Sequence, residues 1–192
     1  MRLANQLESV MSTQKNVQQK AGTVESSPAL RLDQEKSEQI VDALNTDLAA
    51  TYVLYHQLKK HHWNGEGAEF LEVHRFLGDA AHEAEEAADE LAERVQALGG
   101  VPVAGMKNLE ETAPVTMEDD DVYDIRTSLS NDMEMYGDII ETVREHIELT
   151  TNLGDHATAE MLRLQLVELE EYAHHIEHYL EDDTLVLEEA TH

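Results

Sequence analysis

The sequence contains no cysteine, and its 13 Lys and Arg residues are outnumbered by 41 Asp and Glu residues. Without cysteine the chain has no disulfide framework, no thiolate nucleophile and no cysteine metal site, which suits a reducing cytosol. The formal net charge of −28 disfavours nucleic acid and anionic membranes as partners of the folded body, and it favours cations as ligands. No hydrophobic run is as long as a signal-peptide core or a membrane span. We therefore expect a soluble cytoplasmic protein with no membrane partner.

The acidic residues are spread along the whole chain. This balance resembles that of proteins from the salt-rich cytoplasm of halophilic organisms, where dissolved ions screen the repulsion between like charges. With 192 residues, of which 41% are hydrophobic, the chain is long enough for one domain with a substantial core. Residues 1–32 are polar and weakly periodic, so we divide the chain into a flexible N-terminal arm (1–32), a helical bundle (33–183) and a short C-terminal tail (184–192).

Hydrophobic residues recur at helical spacing in four stretches of the bundle. We predict helix A from Asp33 to about Trp63, helix B from about Leu71 to Leu98, helix C from about Ile125 to Ile147, and helix D up to Leu180, after a break and N-cap at Gly154–Asp155. The connections are short, long and short, and residues 99–120 form a crossover long enough to hold a short helix. This order predicts an all-α fold, a ferritin-like four-helix bundle with one long B–C crossover.

Eleven histidines in an acidic helical chain without cysteine are the main functional clue, because imidazole and carboxylate together suit iron, manganese or zinc. Eight of them cluster at the end of helix A, in helix B and late in helix D: His56, His61 and His62; His74 and His82; His174, His175 and His178.

The stretch from His61 to Gly100 resembles the signature of the Dps family of miniature ferritins. The residues that carry the resemblance are His61-His62-Trp63-Asn64-Gly65, Gly67, Phe70, His74, Asp89-Glu90-Leu91-Ala92-Glu93-Arg94 and Leu98-Gly99-Gly100. The resemblance implies an iron-oxidising centre formed by His62 and His74 of one subunit with Asp89 and Glu93 of another. It also implies a homo-oligomer, a hollow dodecamer, that oxidises Fe²⁺ with hydrogen peroxide or O₂ and holds a ferric mineral core.

Helix geometry independently indicates that such a centre is shared between subunits. His74 and Asp89 are fifteen residues apart, or about 22 Å along a straight helix, whereas metal ligands lie about 2 Å from their ion. Asp89 and Glu93 share one helical face, so an antiparallel partner related by a two-fold axis can bring them opposite His74. One departure from the family concerns Gly78, which stands where an Asp is usual, and the centre is therefore expected to be ligand-poor or rearranged.

Two further groups are candidate metal ligands. Helix B carries an acidic stripe at Asp79, His82, Glu83, Glu86 and Glu90, which suits the start of a ferric mineral or, alternatively, an ordinary solvated face. Helix D carries Glu171, His174, His175 and His178, which either guide iron toward the interior or are solvated surface residues.

The leading hypothesis is iron oxidation and storage in a cage, which protects against damage by iron and peroxide. One alternative is a di-iron or di-manganese oxidase with a site inside one bundle, using the pairs Glu171–His174 and Asp79–His82, although helix A then offers only Asp42 or Asp47 where a Glu belongs. The other alternative is a nucleoid-binding structural protein of the same family, and the charge makes DNA an improbable partner.

Overall fold

The structure is a computed structural model that describes residues 16–181. The regular elements in this range are five helices: α1 (Gln34–Asn64), α2 (Phe70–Ala97), α3 (Met106–Thr112), α4 (Ile125–Leu153) and α5 (His156–Leu180). The four long helices correspond to the predicted helices A–D, and the short α3 lies in the crossover, so the predicted order of elements is confirmed. Within residues 16–181, no helix combines the length and the hydrophobicity of a membrane span.

The long helices form two hairpins around one core. Helix α1 packs along α2, α4 packs along α5, and α1 also contacts α3 and α4. Each long helix contributes fully buried side chains to the core, such as Leu44, Leu77, Tyr136 and Leu162. Burying a leucine side chain of this kind stabilises the fold by about 2 kcal/mol. The arrangement is an all-α ferritin-like bundle with one long crossover, as predicted.

The buried stripe of α2 differs from the prediction at its beginning. Leu71, the first apolar residue of the predicted helix B, is 52% exposed. The stripe instead begins at Val73 and continues through Leu77, both of which are buried. Because successive residues of a helix are about 100° apart, Leu71 lies on the opposite side of the helix from Val73.

Aspartates cap the beginnings of three long helices. Asp33, Asp124 and Asp155 each accept a hydrogen bond from a backbone N–H in the first turn of α1, α4 and α5. Gly154 ends α4 in the left-handed conformation (φ 87°), which suits glycine because it has no Cβ. The predicted break and N-cap between helices C and D are thus confirmed. Asp155 also accepts two hydrogen bonds from the Arg94 guanidinium, at 2.8 and 2.9 Å, which tie α2 to the beginning of α5.

A buried polar junction fastens the crossover to the bundle. The buried polar junction consists of six side chains that bond to one another: Gln57, Lys60, His61, Glu118, Asn131 and Asp132. Nδ1 of His61 lies 2.9 Å from both carboxylate oxygens of Asp132 on α4, and Nε2 lies 2.6 Å from Oε1 of Glu118 in the crossover. Burial opposes a charge on this imidazole, but the hydrogen bonds and charges of the two carboxylates outweigh it and raise the pKa of His61. His61 therefore favours the charged form, which binds both carboxylates.

Part of the predicted arm contacts the turn that ends α2. The side-chain amide of Gln19 and the backbone N–H of Glu25 both donate to the carbonyl of Gly99, at 2.8 Å each. Gly99 has φ 88°, and a Cβ there would lie 1.9 Å from the carbonyl oxygen of Glu25, so only glycine fits this approach. Residues 1–15 of the arm, residues 182–183 of the predicted bundle and the tail at 184–192 lie outside the described residues. The division into arm, bundle and tail stays a prediction.

Candidate metal centre

His62 and His74 meet where α1 ends and α2 begins. Their rings stack with centroids 3.7 Å apart and planes 18° from parallel. Nδ1 of His62 lies 2.7 Å from the carbonyl oxygen of His74, and Nδ1 of His74 lies 2.8 Å from the carbonyl oxygen of His62. Since a carbonyl oxygen only accepts, each Nδ1 carries the proton and donates it. The lone pair of each neutral ring is therefore on Nε2, ready for a metal ion.

The surroundings of His62 also favour its neutral form. Burial lowers the pKa of His62, and the electrostatic effects of the neighbouring His74 and Lys59 lower it further, against the opposing effect of the hydrogen bond to the His74 carbonyl. A metal ion displaces a proton from imidazole less readily than it binds a free lone pair. His62 is thus suited to bind a divalent cation at neutral pH.

Gly78 adjoins the centre and supports the His62 ring. A Cβ at this position would lie 3.1 Å from Cε1 and 3.2 Å from Nδ1 of His62, closer than ordinary van der Waals contact. The ring therefore rests on the α2 backbone in space that a side chain at position 78 would otherwise need. The neighbouring Asp79 is exposed.

Asp89 and Glu93 lie further along α2, one helical turn apart, and both are exposed. One chain does not bring them to His62 and His74, because about 22 Å of helix separates Asp89 from His74. Across residues 16–181, no three His, Asp or Glu side chains are grouped so that they could hold a metal ion. A single chain therefore supplies this centre with two imidazoles.

The acidic stripe on α2 is mostly solvent-exposed. Asp79, His82 and Glu86 are exposed, with Nε2 of His82 3.5 Å from Oε1 of Glu86. Glu83 is partly buried and lines a narrow cavity that Glu168 of α5 also lines. Its pKa is raised by burial and by repulsion from Glu168, Glu86 and Glu90. Repulsion between these carboxylates would be relieved by a bound cation.

The ligands of the alternative intrasubunit site do not converge. The pairs Glu171–His174 and Asp79–His82 are exposed on the surfaces of α5 and α2, as is Asp42 on α1. Asp47 is 2% exposed, and its Oδ1 lies 2.8 Å from Nδ1 of His146 on α4. The interior position on helix A is thus occupied by a carboxylate paired with an imidazole from α4.

Late in α5, His174 and His178 lie one turn apart with their Nε2 atoms 3.0 Å from each other. His174, His178 and Glu171 are all exposed. Among residues 16–181, these side chains do not join other His, Asp or Glu residues in a group of three that could hold a metal ion.

Sequence reasoning missed the partners of His61 and of Asp47. The available signal was a charged residue in an apolar stripe: Asp132 follows Leu129 and precedes Tyr136 at helical spacing, and Asp47 follows Leu44 in the same way. Such positions face the core, so a carboxylate there requires a polar partner.

Comparisons with known proteins agree with this architecture. The profile of the ferritin-like domain matches residues 41–186. The DNA protection during starvation protein of Halobacterium salinarum is 70% identical over 180 residues, which cover 94% of this chain and 99% of that protein.

Two solved structures show the same fold. The archaeal Dps homologue from Halobacterium salinarum superposes with a TM-score of 0.89 at 70% identity, over 93% of this chain and 99% of that one. The Dps protein of Vibrio cholerae, described as a member of a broad superfamily of ferritin-like diiron-carboxylate proteins, superposes with a TM-score of 0.77 at 25% identity, over 83% and 99%. With the bundle, its crossover and the histidine pair at the α1–α2 turn, these matches establish that the chain belongs to the Dps family of ferritin-like proteins.

Proposed function

We propose that the protein binds Fe²⁺ at centres shared between two subunits, oxidises it with hydrogen peroxide or O₂, and stores the ferric product in a hollow homo-oligomer, a dodecamer. The observation that carries this proposal is the His62–His74 pair, whose two Nδ1 atoms are held by backbone carbonyls. This arrangement leaves two Nε2 lone pairs at the surface of a chain that has no third ligand beside them within residues 16–181.

In the proposed reaction Fe²⁺ is the substrate, and the two imidazoles bind it without giving up a proton. Asp89 and Glu93 of a second copy complete the centre, since residues i and i+4 project from one helical face. Carboxylate oxygens are hard, anionic ligands, which stabilise the ferric product more than the ferrous substrate. Two Fe²⁺ ions supply the two electrons that, with two protons, reduce one hydrogen peroxide to water. The reaction thereby consumes together the two reactants that generate hydroxyl radicals.

Storage requires an anionic surface on which ferric ions can collect, and the acidic stripe of α2 supplies one. Repulsion at Glu83 from Glu86 and Glu168 supports this role, because a cation between them lowers the electrostatic energy. The proposed setting is the cytoplasm of a cell with a salt-rich interior, as the acid excess indicates.

The proposal is tested by combining two inactive variants. Replacing His62 and His74 by Ala should reduce the initial rate of Fe²⁺ oxidation at least tenfold, because the ligand nitrogens are removed, while far-ultraviolet circular dichroism and oligomer size remain unchanged. The variant Asp89→Asn/Glu93→Gln should lose activity in the same way. Co-assembled oligomers of the two variants should recover part of the activity, since some interfaces then unite intact histidines with intact carboxylates.

The matched control is Glu141→Gln/Glu145→Gln, which neutralises an exposed i, i+4 carboxylate pair on α4 and should leave the rate unchanged. Full oxidation activity in the double histidine variant or in the double carboxylate variant would refute the assigned ligands. Proven co-assembly without recovery would indicate that the centre is not shared.

The distribution of charge along the chain disfavours binding to DNA. We propose that this protein protects without binding duplex DNA, although its Halobacterium relative is named for DNA protection. Residues 1–32 carry four basic and two acidic side chains next to a strongly acidic body, and phosphate binding falls steeply with salt. Gel retardation of duplex DNA at physiological or higher salt should be absent. Retardation that persists at such salt and disappears when residues 1–32 are removed would contradict this expectation.

A further inference from the structure

The exposed histidine pair late in α5 has a geometry that the iron centre does not use. His174 and His178 are residues i and i+4 of one helix, and their Nε2 atoms lie 3.0 Å apart. The rings are inclined by 66° with centroids 4.3 Å apart, so their nitrogen-bearing edges converge. This differs from His62 and His74, whose rings are stacked.

The separation of the two nitrogens fits a single chelated ion. Zn–N bonds are about 2.0–2.1 Å long, and two such bonds at an angle between about 90° and 109° place the nitrogens about 2.9–3.4 Å apart. The measured 3.0 Å falls within this range. An ion can therefore replace the proton that otherwise bridges the pair, with little movement of either side chain.

Two neighbouring features favour a cation at this position. Oε2 of Glu177 lies 3.2 Å from Nδ1 of His174, so the carboxylate fixes the tautomer that carries its lone pair on Nε2 and makes this imidazole a better ligand. His178 belongs to the last turn of α5, where the unpaired carbonyls give the helix end a partial negative charge. The side chain of His174 is 60% exposed, which leaves room for an ion and its water ligands.

We propose that His174 and His178 form a chelating site for one late first-row divalent ion, Cu²⁺, Ni²⁺ or Zn²⁺, separate from the iron centre, with Glu177 as the positioning residue. Two neutral imidazoles without a carboxylate ligand prefer these ions to Fe²⁺, because the affinity of nitrogen ligands rises from iron to copper. The site lies on α5, whereas the proposed iron ligands lie on α1 and α2, so the two proposals are independent. Ion binding here uses the Nε2 lone pair of each imidazole.

The experiment titrates Cu²⁺ alone into the full-length protein and three single variants, with binding measured by calorimetry and nitrogen coordination by electron paramagnetic resonance. The variants His174→Ala and His178→Ala should each raise the Kd of one site per chain at least tenfold and remove its nitrogen hyperfine signal. The control is His175→Ala, an exposed neighbour whose ring instead packs edge-on against Phe76 with centroids 6.2 Å apart. This control should bind Cu²⁺ as the parent protein does.

Two further measurements complete the test. Glu177→Gln should raise the Kd severalfold without changing the number of ions bound, since it weakens the support of the His174 ring but removes no metal ligand. All four variants should oxidise Fe²⁺ at the parental initial rate, and this expectation does not depend on which residues bind iron at the proposed iron centre. If loss of His174 or His178 changes Cu²⁺ binding no more than loss of His175, the chelate proposal is wrong. An oxidation rate reduced by both His174→Ala and His178→Ala would instead make the pair part of iron handling and overturn its separateness.

Discussion

His61 and His62 are consecutive residues in the last turn of α1, yet their imidazoles have opposite surroundings. His61 is buried between Asp132 and Glu118, which raise its pKa and hold both of its nitrogens. His62 is partly exposed, and its ring rests on Gly78. Its pKa is lowered, and Nε2 stays free because Nδ1 donates to a backbone carbonyl. An imidazole with a carboxylate partner at each nitrogen favours the charged form and serves as a structural cation. An imidazole whose Nδ1 donates to a neutral carbonyl keeps a lone pair on Nε2 and can bind a metal ion.

The largest expected effect is on the free energy of unfolding, which should fall much more when His61 is removed than when His62 is removed. His61→Ala leaves the fully buried Asp132 without its cationic partner, so we expect the free energy of unfolding to fall by about 3–5 kcal/mol. His62→Ala removes a partly exposed side chain bonded to a carbonyl and should cost about 1 kcal/mol. Chemical denaturation at fixed salt measures both values. Equal decreases in the free energy of unfolding would show that the buried polar junction contributes no more stability than the surface contacts of His62.

A smaller effect is expected for the pH dependence of stability, and it concerns His146, a partly buried imidazole that also pairs with a carboxylate. The pKa of His146 is raised by the hydrogen bond and charge of Asp47, which outweigh the opposing effect of burial. A folded pKa above the unfolded value of about 6.5 stabilises the protein fully below that pH, and the contribution disappears as pH rises through the folded pKa. The stability difference between the parent protein and His146→Gln should therefore shrink as pH rises above about 6.5.

Urea unfolding at a series of pH values, at constant salt, checks this expectation. The control is His156→Gln, an exposed histidine in the first turn of α5, whose stability should follow the parental pH curve. A difference between parent and His146→Gln that grows with pH would reverse the assigned sign.

The smallest effect concerns the support of the His62 ring. Gly78→Ala places a Cβ 3.1 Å from Cε1 of this ring and should displace it by a few tenths of an ångström. We expect a severalfold slower initial oxidation of Fe²⁺, because ligand geometry is disturbed. Unfolding should change by about 1 kcal/mol or less, since alanine favours the helix while the contact opposes it.

Gly137→Ala is the matched control for this change, because a Cβ at this position of α4 meets nothing within 4 Å. It should stabilise the helix by up to about 1 kcal/mol and leave oxidation unchanged. If Gly78→Ala also leaves oxidation unchanged, the ring does not depend on the glycine surface for its placement.

The sequence by itself determined the four long helices and the family, because both depend on local information. Apolar residues at helical spacing, such as Leu44 and Leu48, define a buried face wherever the helix packs, and the His61-to-Gly100 pattern lies within one continuous stretch. The spacing of His74 and Asp89 likewise indicates that one chain cannot close the centre, since the rise of a helix is fixed.

Only the tertiary structure decided which histidines became structural cations and which kept a free lone pair. Glu118 and Asp132 are 57 and 71 residues from His61 along the chain, and no local pattern predicts that the crossover and α4 bring them to its two nitrogens. The close approach of His62 to Gly78 likewise depends on how α1 and α2 pack. The pKa of an imidazole depends on burial and on charges within a few ångströms, and those neighbours are defined by packing in space.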